Sequence, residues 1–313
     1  MRILVTGAAG FIGSHVAERT LAVGHDTVLL DGFTDYYDRT TKEANVATAA
    51  AHPRATFHEL DLRTDDLAPA LDGVEAVIHL AAMPGLPRSW TEMEAYTSCN
   101  LLATYRLVEA SRAAGIKRYI QISTSSVYGT EAVGDETQPL RPISPYGVTK
   151  LAAEQLVLAY VQTYGFPAAI LRYFSIYGPR QRPDMAYHKF IEALIDRQDL
   201  TVFGDGHQTR SSTFVSDAVD GTLRALEGAE VGEVYNIGGG ERVELLDVIK
   251  IIGDELGVEP VIHFEPSRPG DQRHTSADTG KAGRSFGYQP TVAPADGLRA
   301  QIAWHCSRRA DAR

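Results

Sequence analysis

The chain has 313 residues, which is enough for one large or two medium domains with a substantial core. Apolar residues make up 44% and charged residues 22%, a balance typical of globular proteins and unlike that of disordered or fibrous chains. The formal net charge of -10 argues against a nucleic-acid-binding function, because proteins that bind phosphate backbones are usually basic.

The first half of the sequence alternates short apolar runs with helical patterns. The apolar runs are continuous and rich in Val, Ile and Leu, which is typical of strands buried on both faces of a parallel sheet. Strands are predicted at residues 3–6, 27–30, 56–60, 76–81, 118–123 and 168–174. The repeated strand–helix–strand units predict right-handed crossovers and a doubly wound α/β sheet.

Helices are predicted between these strands, at residues 11–23, 96–114 and 146–164. Gly24, Gly115 and Gly165 each follow one of them, where glycine readily adopts the left-handed conformation that ends a helix. Ser144 is a predicted N-cap of the third helix, with Pro145 in its first turn. The second half is less regular, with predicted helices at residues 188–197 and 244–256 and loops at 178–184, 204–206 and 266–270.

Three glycines follow the first predicted strand, in the sequence G-A-A-G-F-I-G. Gly7, Gly10 and Gly13 permit a tight turn, a close approach of backbone N–H groups to a pyrophosphate and close packing of helix on strand. Such a triplet also occurs in ordinary strand–helix turns, so it is weak evidence by itself. Asp31 ends the second strand 18 residues after Gly13, close to the spacing of about 20 expected for a carboxylate that binds the adenine ribose 2′-hydroxyl. Because a carboxylate repels a 2′-phosphate, the combination favours NAD over NADP.

Asp61 stands near the end of the third predicted strand. Its carboxylate could receive the adenine amino group, or it could cap a helix that follows. The sequence leaves both interpretations open.

Tyr146 and Lys150 are four residues apart and therefore lie on one face of the predicted helix. A Lys ammonium beside a phenol stabilises the phenolate and lowers the Tyr pKa from its ordinary value of about 10, which makes the Tyr a usable general base. A Y-x-x-x-K pair is also common in ordinary surface helices. Here the helix follows a buried strand that ends in S-T-S-S at residues 123–126, so a hydroxyl from that strand can reach the same substrate oxygen.

Other kinds of site are not indicated by the sequence. The ten histidines show no H-E-x-x-H or paired Cys/His spacing, which predicts no metal site, and His79 is expected to be a core residue. Neither G-x-S-x-G nor a P-loop motif occurs. Cys99 and Cys306 are the two cysteines, and no apolar run approaches the ~18 residues of a membrane span. We therefore expect a cytoplasmic protein with no membrane or nucleic-acid partner.

The motifs resemble those of the extended short-chain dehydrogenase/reductases, in the nucleotide-sugar epimerase/dehydratase group. The resemblance spans nearly the whole chain. It is carried, in order, by VTGAAGFIGSH (residues 5–15), HLAA (79–82), STSSVYG (123–129), SPYGVTK (144–150), LRYFSIYGPRQRPDM (171–185), VFGDGHQTR (202–210), YNIGGG (235–240) and PSRPGDQRHTSAD (266–278).

This resemblance implies an α/β fold in which a doubly wound parallel sheet binds NAD and a smaller C-terminal domain binds a nucleotide sugar. The implied NAD-binding domain is residues 1–172 plus about 213–237, and the nucleotide-sugar domain is 173–212 and 238–313. The family is mostly dimeric through two helices, here 96–114 and 146–164, so a homodimer is expected. The implied cofactor contacts are Gly7, Gly10, Phe11, Ile12, Gly13, Asp31, Gly32, Phe33, Lys42, Asp61, Leu62, Leu80, Ala81, Ala82, Asn100, Tyr146, Lys150 and Tyr173.

The residues after Thr124 discriminate best within the group. The 4,6-dehydratases carry T-D-E-V-Y-G, whose two acids run the elimination, and the UDP-glucuronate decarboxylases carry T-S-E-V-Y-G. This chain has Ser125 and Ser126 at the two variable positions. Residues 31–42 and 178–186 are similar to the D-N-F-x-D-Y-Y-D and G-P-x-x-R-P-D-M-A segments of UDP-glucuronate 4-epimerases, which form UDP-galacturonate. The strongest resemblance is to this subgroup, which also occurs in antibiotic pathways of the moenomycin type.

The resemblance also implies roles for individual residues. Tyr146 would be the general base at the sugar C4 hydroxyl, Thr124 would hydrogen-bond O4, and Lys150 would bind the nicotinamide ribose and lower the Tyr146 pKa. Arg182, helped by Ser125 and Ser126, would hold the C6 carboxylate, and the alternatives for Arg182 are an ion pair with Asp184 or a contact with a phosphate. The full set of expected substrate contacts is Pro84, Arg88, Thr124, Ser125, Ser126, Ser175, Arg182, Lys189, Val202, Phe203, Gln208, Arg210, Arg268 and Asp271.

Three departures from the family pattern leave the substrate open. Gly32 replaces a usual Asn, M-P-G-L-P-R-S at residues 83–89 replaces a segment close to Q-A-G-V-R-Y-S, and R-S-S at 210–212 replaces R-D-F or R-D-Y. The alternatives are a UDP-glucose/galactose 4-epimerase, a UDP-glucuronate decarboxylase and a non-catalytic, NAD-binding regulatory relative.

Overall fold

Parallel strands form the largest sheet of the protein. The computed structural model describes residues 1–267 and 272–311. Its strands are β1 (Arg2–Thr6), β2 (Asp26–Asp31), β3 (Ala55–Glu59), β4 (Ala76–His79), β5 (Arg118–Thr124), β6 (Glu131–Gly134), β7 (Ala168–Tyr173), β8 (Ile176–Tyr177), β9 (Leu200–Phe203), β10 (Thr209–Arg210), β11 (Thr213–Phe214), β12 (Val234–Ile237), β13 (Val243–Glu244), β14 (Ile262–Glu265) and β15 (His274–Ala277). Its helices are α1 (Phe11–Ala22), α2 (Arg39–Ala50), α3 (Ala68–Leu71), α4 (Met93–Thr97), α5 (Ala103–Ala113), α6 (Pro145–Tyr164), α7 (Ala186–Ile195), α8 (Val215–Gly228), α9 (Leu245–Leu256), α10 (Gly280–Phe286) and α11 (Pro294–Asp311).

The large sheet is doubly wound, as predicted. Its seven strands run in the order β12-β7-β5-β4-β1-β2-β3, and every pairing is parallel. The chain builds outward from β1 through β2 to β3, returns to β4 on the other side of β1, and continues through β5 and β7 to β12. The order therefore reverses between β1 and β4, and a crevice for ligands is expected beyond the carboxyl ends of these strands.

Burial on both faces explains the continuous apolar runs. In β1, Ile3 and Val5 pack into one core cluster, and Leu4 packs into a second cluster on the opposite face of the sheet. The first cluster includes side chains of α1 and α8, and the second includes side chains of α5 and α6. A strand covered by helices on both sides has no face on which polar residues are favoured.

The second half of the chain forms smaller sheets and a separate core. One sheet has the order β13-β10-β15-β6, and β14 pairs with β9. The core joins α7, α9 and α11 through side chains such as Ile191, Ile249 and Ile302. Strand β12 returns to the large sheet beside β7. The predicted division into two domains remains a prediction.

Most predicted elements agree with the structure to within two or three residues, and the ends of α6 agree in detail. The Ser144 hydroxyl accepts a hydrogen bond from the backbone N–H of Gly147 at 3.1 Å, Pro145 opens the helix, and Gly165 follows it with φ 65°. The strand predicted over residues 76–81 is two residues shorter, because it ends at His79 and Leu80 leaves the sheet.

The predicted helix over residues 96–114 is interrupted. A π-helical turn, Ser98–Leu102, separates α4 from α5. The Thr104 hydroxyl donates to the backbone carbonyl of Asn100 at 2.8 Å, and such side-chain bonds compete with the regular helical ladder. Within the described part of the chain, no helix is both long and apolar enough to cross a membrane.

Candidate active site

A large cavity opens at the carboxyl ends of β1, β2, β4 and β5. It is lined by most residues of the implied cofactor set: Gly7, Gly10, Phe11, Ile12, Gly13, Asp31, Gly32, Lys42, Asp61, Leu62, Leu80, Ala81, Ala82, Tyr146, Lys150 and Tyr173. Of the implied substrate set, the wall includes Pro84, Thr124, Ser126, Ser175 and Arg182. The order of the strands thus brings residues from widely separated positions between 7 and 185 to one site.

The glycine loop forms the floor of the cavity between β1 and α1. Gly7 has φ +68°, and a Cβ atom at Gly13 would lie only 2.0 Å from the carbonyl oxygen of Gly7. Side chains are therefore excluded, and the N-terminus of α1 is left open to an anionic group such as a pyrophosphate. This geometry fits a dinucleotide.

Asp31 lies at the end of β2, as predicted. Its carboxylate accepts hydrogen bonds from the backbone N–H groups of Ala9 at 3.0 Å and Phe33 at 2.8 Å, which ties the glycine loop to the loop after β2. Burial raises the pKa of Asp31, and these two bonds oppose the rise. The side chain of Phe33 packs on Phe57. Phe33 is not among the described residues that line the cavity.

Lys42 reaches the same wall from α2. Its ammonium donates to the backbone carbonyl of Thr34 and lies 4.8 Å from the ring centre of Tyr37. Burial lowers the pKa of Lys42, and the nearby Asp31 opposes that fall.

Asp61 lies two residues beyond the end of β3 and is already paired. Its carboxylate forms an ion pair with the guanidinium of Arg63 at 2.7 Å and accepts a hydrogen bond from the Arg63 backbone N–H at 2.8 Å. The alternative of a helix N-cap is wrong, because the next helix, α3, begins only at Ala68. A contact with an adenine amino group remains a prediction, and Arg63 is a wall residue that the sequence analysis missed.

Asn100 was predicted to contact the cofactor, but in the structure its side chain forms hydrogen bonds with other residues of the protein. The amide oxygen accepts the backbone N–H of Met83 at 2.7 Å, and the amide nitrogen donates to the Met83 carbonyl and the Thr149 hydroxyl, both at 3.1 Å. Asn100 is buried, and it is not among the described residues that line the cavity. It holds the segment after β4 against α6.

Thr124, Tyr146 and Lys150 come together where β5 meets α6. The Lys150 ammonium donates to the backbone carbonyl of Ile122 at 2.7 Å, and burial lowers its pKa to about 8. A hydrogen bond joins Thr124 to the Tyr146 phenol. The predicted arrangement of these three side chains around one end of the cavity is present.

The electrostatics of Tyr146 differ from the sequence-based expectation. Burial raises the pKa of the phenol, and the effects that oppose the rise are the hydrogen bond with Thr124 and the positive charge of Arg182. The Lys150 ammonium instead donates a hydrogen bond to the backbone carbonyl of Ile122. The sequence suggested a lowered pKa because it showed the spacing of Tyr146 and Lys150 but not the depth at which the pair is buried.

Arg182 reaches the cavity from the loop between β8 and α7. Its Nε and Nη2 atoms donate to the two carboxylate oxygens of Asp184 at 2.9 and 3.0 Å. The phenol of Tyr36, another wall residue, donates to Asp184 at 3.2 Å. The ion pair with Asp184 is the alternative that the sequence offered for Arg182, whereas the contact with Tyr36 was missed, since nothing in the local sequence shows that the loops around residues 36 and 184 meet.

Ser126 and Ser125 face different surroundings. A hydrogen bond of 3.2 Å joins the Thr124 and Ser126 hydroxyls beside the cavity. Ser125 is buried and donates to the side-chain oxygen of Gln272 at 3.4 Å. Of the predicted pair, only Ser126 lines the cavity.

Several predicted substrate residues lie outside the cavity wall formed by the described residues: Arg88, Ser125, Lys189, Val202, Phe203, Gln208 and Arg210. Arg88 forms an ion pair with Glu92 at 2.5 Å. Val202 is buried in the core of the second half, and the Gln208 amide donates to the Phe203 carbonyl at 3.1 Å. Arg210 donates to the backbone carbonyls of Thr209, Gln272 and Arg273. Arg268 and Asp271 lie outside the described residues, and contacts of all these residues with a substrate remain predictions.

Three histidines lie in two different environments. His79 is a core residue, as predicted, with hydrogen bonds to the hydroxyls of Thr6 at 2.7 Å and Thr104 at 3.1 Å. His188 and His305 meet Glu192 between α7 and α11, with possible ligand atoms within 4.8 Å of one another, a cluster that sequence spacing did not reveal. Glu192 is already paired with His305 and Arg309 there.

Comparisons with known proteins agree with this geometry. The model of the family described as "NAD dependent epimerase/dehydratase family" matches residues 3–238. A Bacillus subtilis (strain 168) protein named an uncharacterized UDP-glucose epimerase, YtcB, is 42% identical over 308 residues, covering 97% of this chain and 98% of that protein.

Two solved structures are similar over nearly their whole length. The UDP-glucuronic acid 4-epimerase of Bacillus cereus, in complex with UDP-glucuronic acid and NAD, is 40% identical with a TM-score of 0.96, covering 98% of this chain and 100% of that chain. The dTDP-glucose 4,6-dehydratase DesIV of Streptomyces venezuelae, with NAD bound, is 34% identical with a TM-score of 0.91, covering 99% and 98%. The chain therefore belongs to the NAD dependent epimerase/dehydratase family, and its cofactor is NAD.

Proposed function

We propose that the protein is a UDP-glucuronate 4-epimerase, which interconverts UDP-glucuronate and UDP-galacturonate and retains NAD between turnovers. The observation that carries the proposal is the composition of the cavity wall beside Tyr146. Thr124, Ser126 and Arg182 line it, so hydroxyl groups and a guanidinium share this cavity wall with the phenol. Ser125 and Ser126 occupy the positions at which the dehydratase pattern has its two acids.

In this proposal Tyr146 removes the proton of the sugar C4 hydroxyl. The phenol must first lose its own proton, which burial opposes and which the Thr124 hydrogen bond and the Arg182 charge favour. Thr124 then holds the same sugar oxygen, and Lys150 holds the ribose of the cofactor. When bound, NAD supplies a reversible hydride acceptor, so that C4 can pass through a ketone and be reduced on either face.

A ketone at C4 lies β to the C6 carboxylate of a uronate, and this arrangement invites loss of CO₂. An epimerase must therefore hold the carboxylate in an orientation that is poor for decarboxylation. Arg182 suits this role because a guanidinium binds a carboxylate through two parallel N–H donors. Its side chain is 19% exposed and lies on the cavity wall, so its charge is partly shielded from water.

The proposal is tested by incubating the purified enzyme separately with UDP-glucuronate, UDP-glucose and dTDP-glucose and identifying the products by NMR. We expect UDP-galacturonate from the first substrate, without added NAD. A predominant UDP-pentose product would identify a decarboxylase, and a 4-keto-6-deoxy sugar would identify a dehydratase. Either result would contradict the proposal.

A UDP-glucose 4-epimerase is the second candidate. The name of the Bacillus subtilis relative favours it, and so does the pairing of Arg182 with Asp184, which already gives the guanidinium an anionic partner. The two candidates differ in the ratio of kcat/KM for UDP-glucuronate and UDP-glucose. A ratio above one supports the uronate epimerase, and a ratio well below one supports the second candidate.

We also propose a homodimer formed through the region of α4, α5 and α6. Large apolar side chains are exposed there, with Leu102 52%, Tyr105 46%, Val148 46% and Tyr164 61% exposed. Association through these faces would remove them from water. Sedimentation equilibrium of the holoenzyme tests this proposal, and a monomer at micromolar concentration would contradict it. The cytoplasmic location remains a prediction.

A further inference from the structure

The ion pair between Arg182 and Asp184 uses only one edge of the guanidinium. The donors are Nε and Nη2, which face the carboxylate side-on. A guanidinium has five N–H donors in a fixed plane, so three of them, two on Nη1 and one on Nη2, lie outside this pair. The end-on edge formed by Nη1 and Nη2 has the geometry that matches a second carboxylate.

Tyr36, from the loop after β2, contacts both members of the pair. Its phenol donates to Asp184 Oδ2 at 3.2 Å, and its ring centre is 5.7 Å from the guanidinium carbon of Arg182. The ring is itself held by Arg88, whose guanidinium carbon is 5.0 Å from the ring centre and whose Nη1 donates to the Tyr36 carbonyl at 3.3 Å. The position of Arg182 is therefore set by Asp184 in its own loop and by Tyr36 from the loop after β2, and Arg88 in turn holds Tyr36.

The charges of these groups match their contacts. The Arg182 guanidinium and the Tyr36 hydrogen bond hold the pKa of Asp184 below its ordinary value, although burial opposes this. Burial and the neighbouring Asp184 raise the pKa of Tyr36 to about 12, so its hydroxyl stays protonated as a donor at neutral pH. The three side chains thus form a cation, an anion and a neutral donor over the whole physiological range.

We propose that Asp184 and Tyr36 are positioning residues that determine specificity for an acidic sugar, because they hold Arg182 with its end-on edge available to the C6 carboxylate. This inference rests on the proposed function, in which Arg182 binds that carboxylate. Asp184 occupies the side-on edge, so the substrate carboxylate does not need to displace it. A neutral C6 group gains nothing from this arrangement.

The test compares Asp184→Asn with wild type in the holoenzyme, using UDP-glucuronate and UDP-glucose as probes. Loss of the ion pair frees the Arg182 side chain, and ordering it again on binding should raise KM for UDP-glucuronate about three- to tenfold. The Kd of UDP-glucose should change less than about twofold. Asp184→Glu should restore most of the uronate preference, and Tyr36→Phe, which keeps the ring, should show a smaller loss in the same direction.

Asp196→Asn is a matched control, since it removes one carboxylate from an Arg–Asp pair at the end of α7 that involves Arg309 instead. It should leave both substrates unaffected. The decisive comparison is Asp184→Asn in an Arg182→Ala background, where a residue that acts only through Arg182 has no further effect on the uronate preference.

Equal weakening toward both nucleotide sugars, or an effect that persists in the Arg182→Ala background, would overturn the positioning role. A lower KM for UDP-glucuronate in Asp184→Asn would also overturn the positioning role, because this result would show that Asp184 competes with the substrate for Arg182. These outcomes are separate from failure of the proposed function, in which Arg182→Ala itself would weaken both sugars equally. If Asp184→Asn does not fold, Tyr36→Phe gives the same comparison.

Discussion

The two ends of the cavity are built in different ways. The cofactor end includes seven consecutive residues, 7–13, which form the turn after β1 and the start of α1, and there Gly7 and Gly13 exclude side chains. What we propose as the substrate end consists of side chains from separate segments, with Tyr36 in the loop after β2, Thr124 as the last residue of β5 and Arg182 in the loop after β8. One end is therefore specified by local sequence, and the other depends on the relative positions of distant segments.

This difference suggests how each end can change. A cradle defined by the absence of Cβ atoms tolerates almost no substitution, because any side chain collides with backbone. The substrate end is made of hydroxyls and charges on loops, where one substitution alters the ligand without disturbing the sheet. Related enzymes with the same cofactor can then act on different sugars, as the names of the two similar solved structures indicate.

The largest effect is expected where the two ends meet, at Tyr146. Tyr146→Phe removes the proton acceptor while keeping the ring, so kcat should fall by ~10²–10⁴-fold with nucleotide-sugar Kd nearly unchanged. The control is Tyr164→Phe, which alters an exposed tyrosine at the other end of α6. Turnover and binding are measured by NMR and calorimetry, and near-normal turnover in Tyr146→Phe would exclude the phenol as the base.

Arg182→Ala tests whether the substrate end is specific for charge. Loss of a charge-assisted hydrogen bond is worth ~1.5–3 kcal/mol, so kcat/KM for UDP-glucuronate should fall about 10–100-fold, and the Kd of UDP-glucose should change little. Arg182→Lys should rescue poorly, since an ammonium lacks the two-pronged geometry. Arg180→Lys is the control, because Arg180 is bound to Glu18 on α1.

A smaller effect, of different character, is expected at the cofactor end. Gly13→Ala places a methyl group 2.0 Å from the Gly7 carbonyl oxygen, and overpacking of this kind typically costs ~1–3 kcal/mol in the free energy of unfolding. The bound NAD, released by denaturation and quantified, should decrease in parallel. Gly240→Ala is a matched control because no atom lies within 4 Å of its added Cβ. Equal NAD content in both variants would show that the loop is not the pyrophosphate site.

The smallest effect concerns His79, at the end of β4 between the two regions. Burial lowers the pKa of His79 to about 3, so the folded protein cannot take up the proton that the unfolded chain binds below pH 6.5. Above that pH both states are neutral and His79 contributes no pH dependence. Between pH 7 and 5.5 the free energy of unfolding should fall by ~1 kcal/mol from this group. Urea unfolding at both pH values tests this, and the fall should be smaller in His79→Gln than in wild type.

The sequence by itself determined the sheet, the glycine loop and the grouping of Thr124, Tyr146 and Lys150. Continuous apolar runs, glycines in a fixed spacing and a Tyr–Lys pair on one helical face are local patterns, and the backbone geometry that they require is also local. The predicted ends of α6, from Ser144 to Gly165, agree for the same reason. The position of Asp31 at the end of β2 also follows from its distance along the chain.

Only the tertiary structure decided the partners of those residues. The sequence could not show that Asn100 binds Met83 and Thr149, or that Arg63 pairs with Asp61. It offered Asp184 as a possible partner of Arg182, but it could not show that Tyr36 contacts this pair. The pKa of Tyr146 also follows from its depth in the fold, which no i,i+4 spacing records. Desolvation, ion pairs and hydrogen bonds between distant loops depend on where the folded chain brings groups within a few ångströms, and that proximity is set by the packing of the whole sheet and its helices.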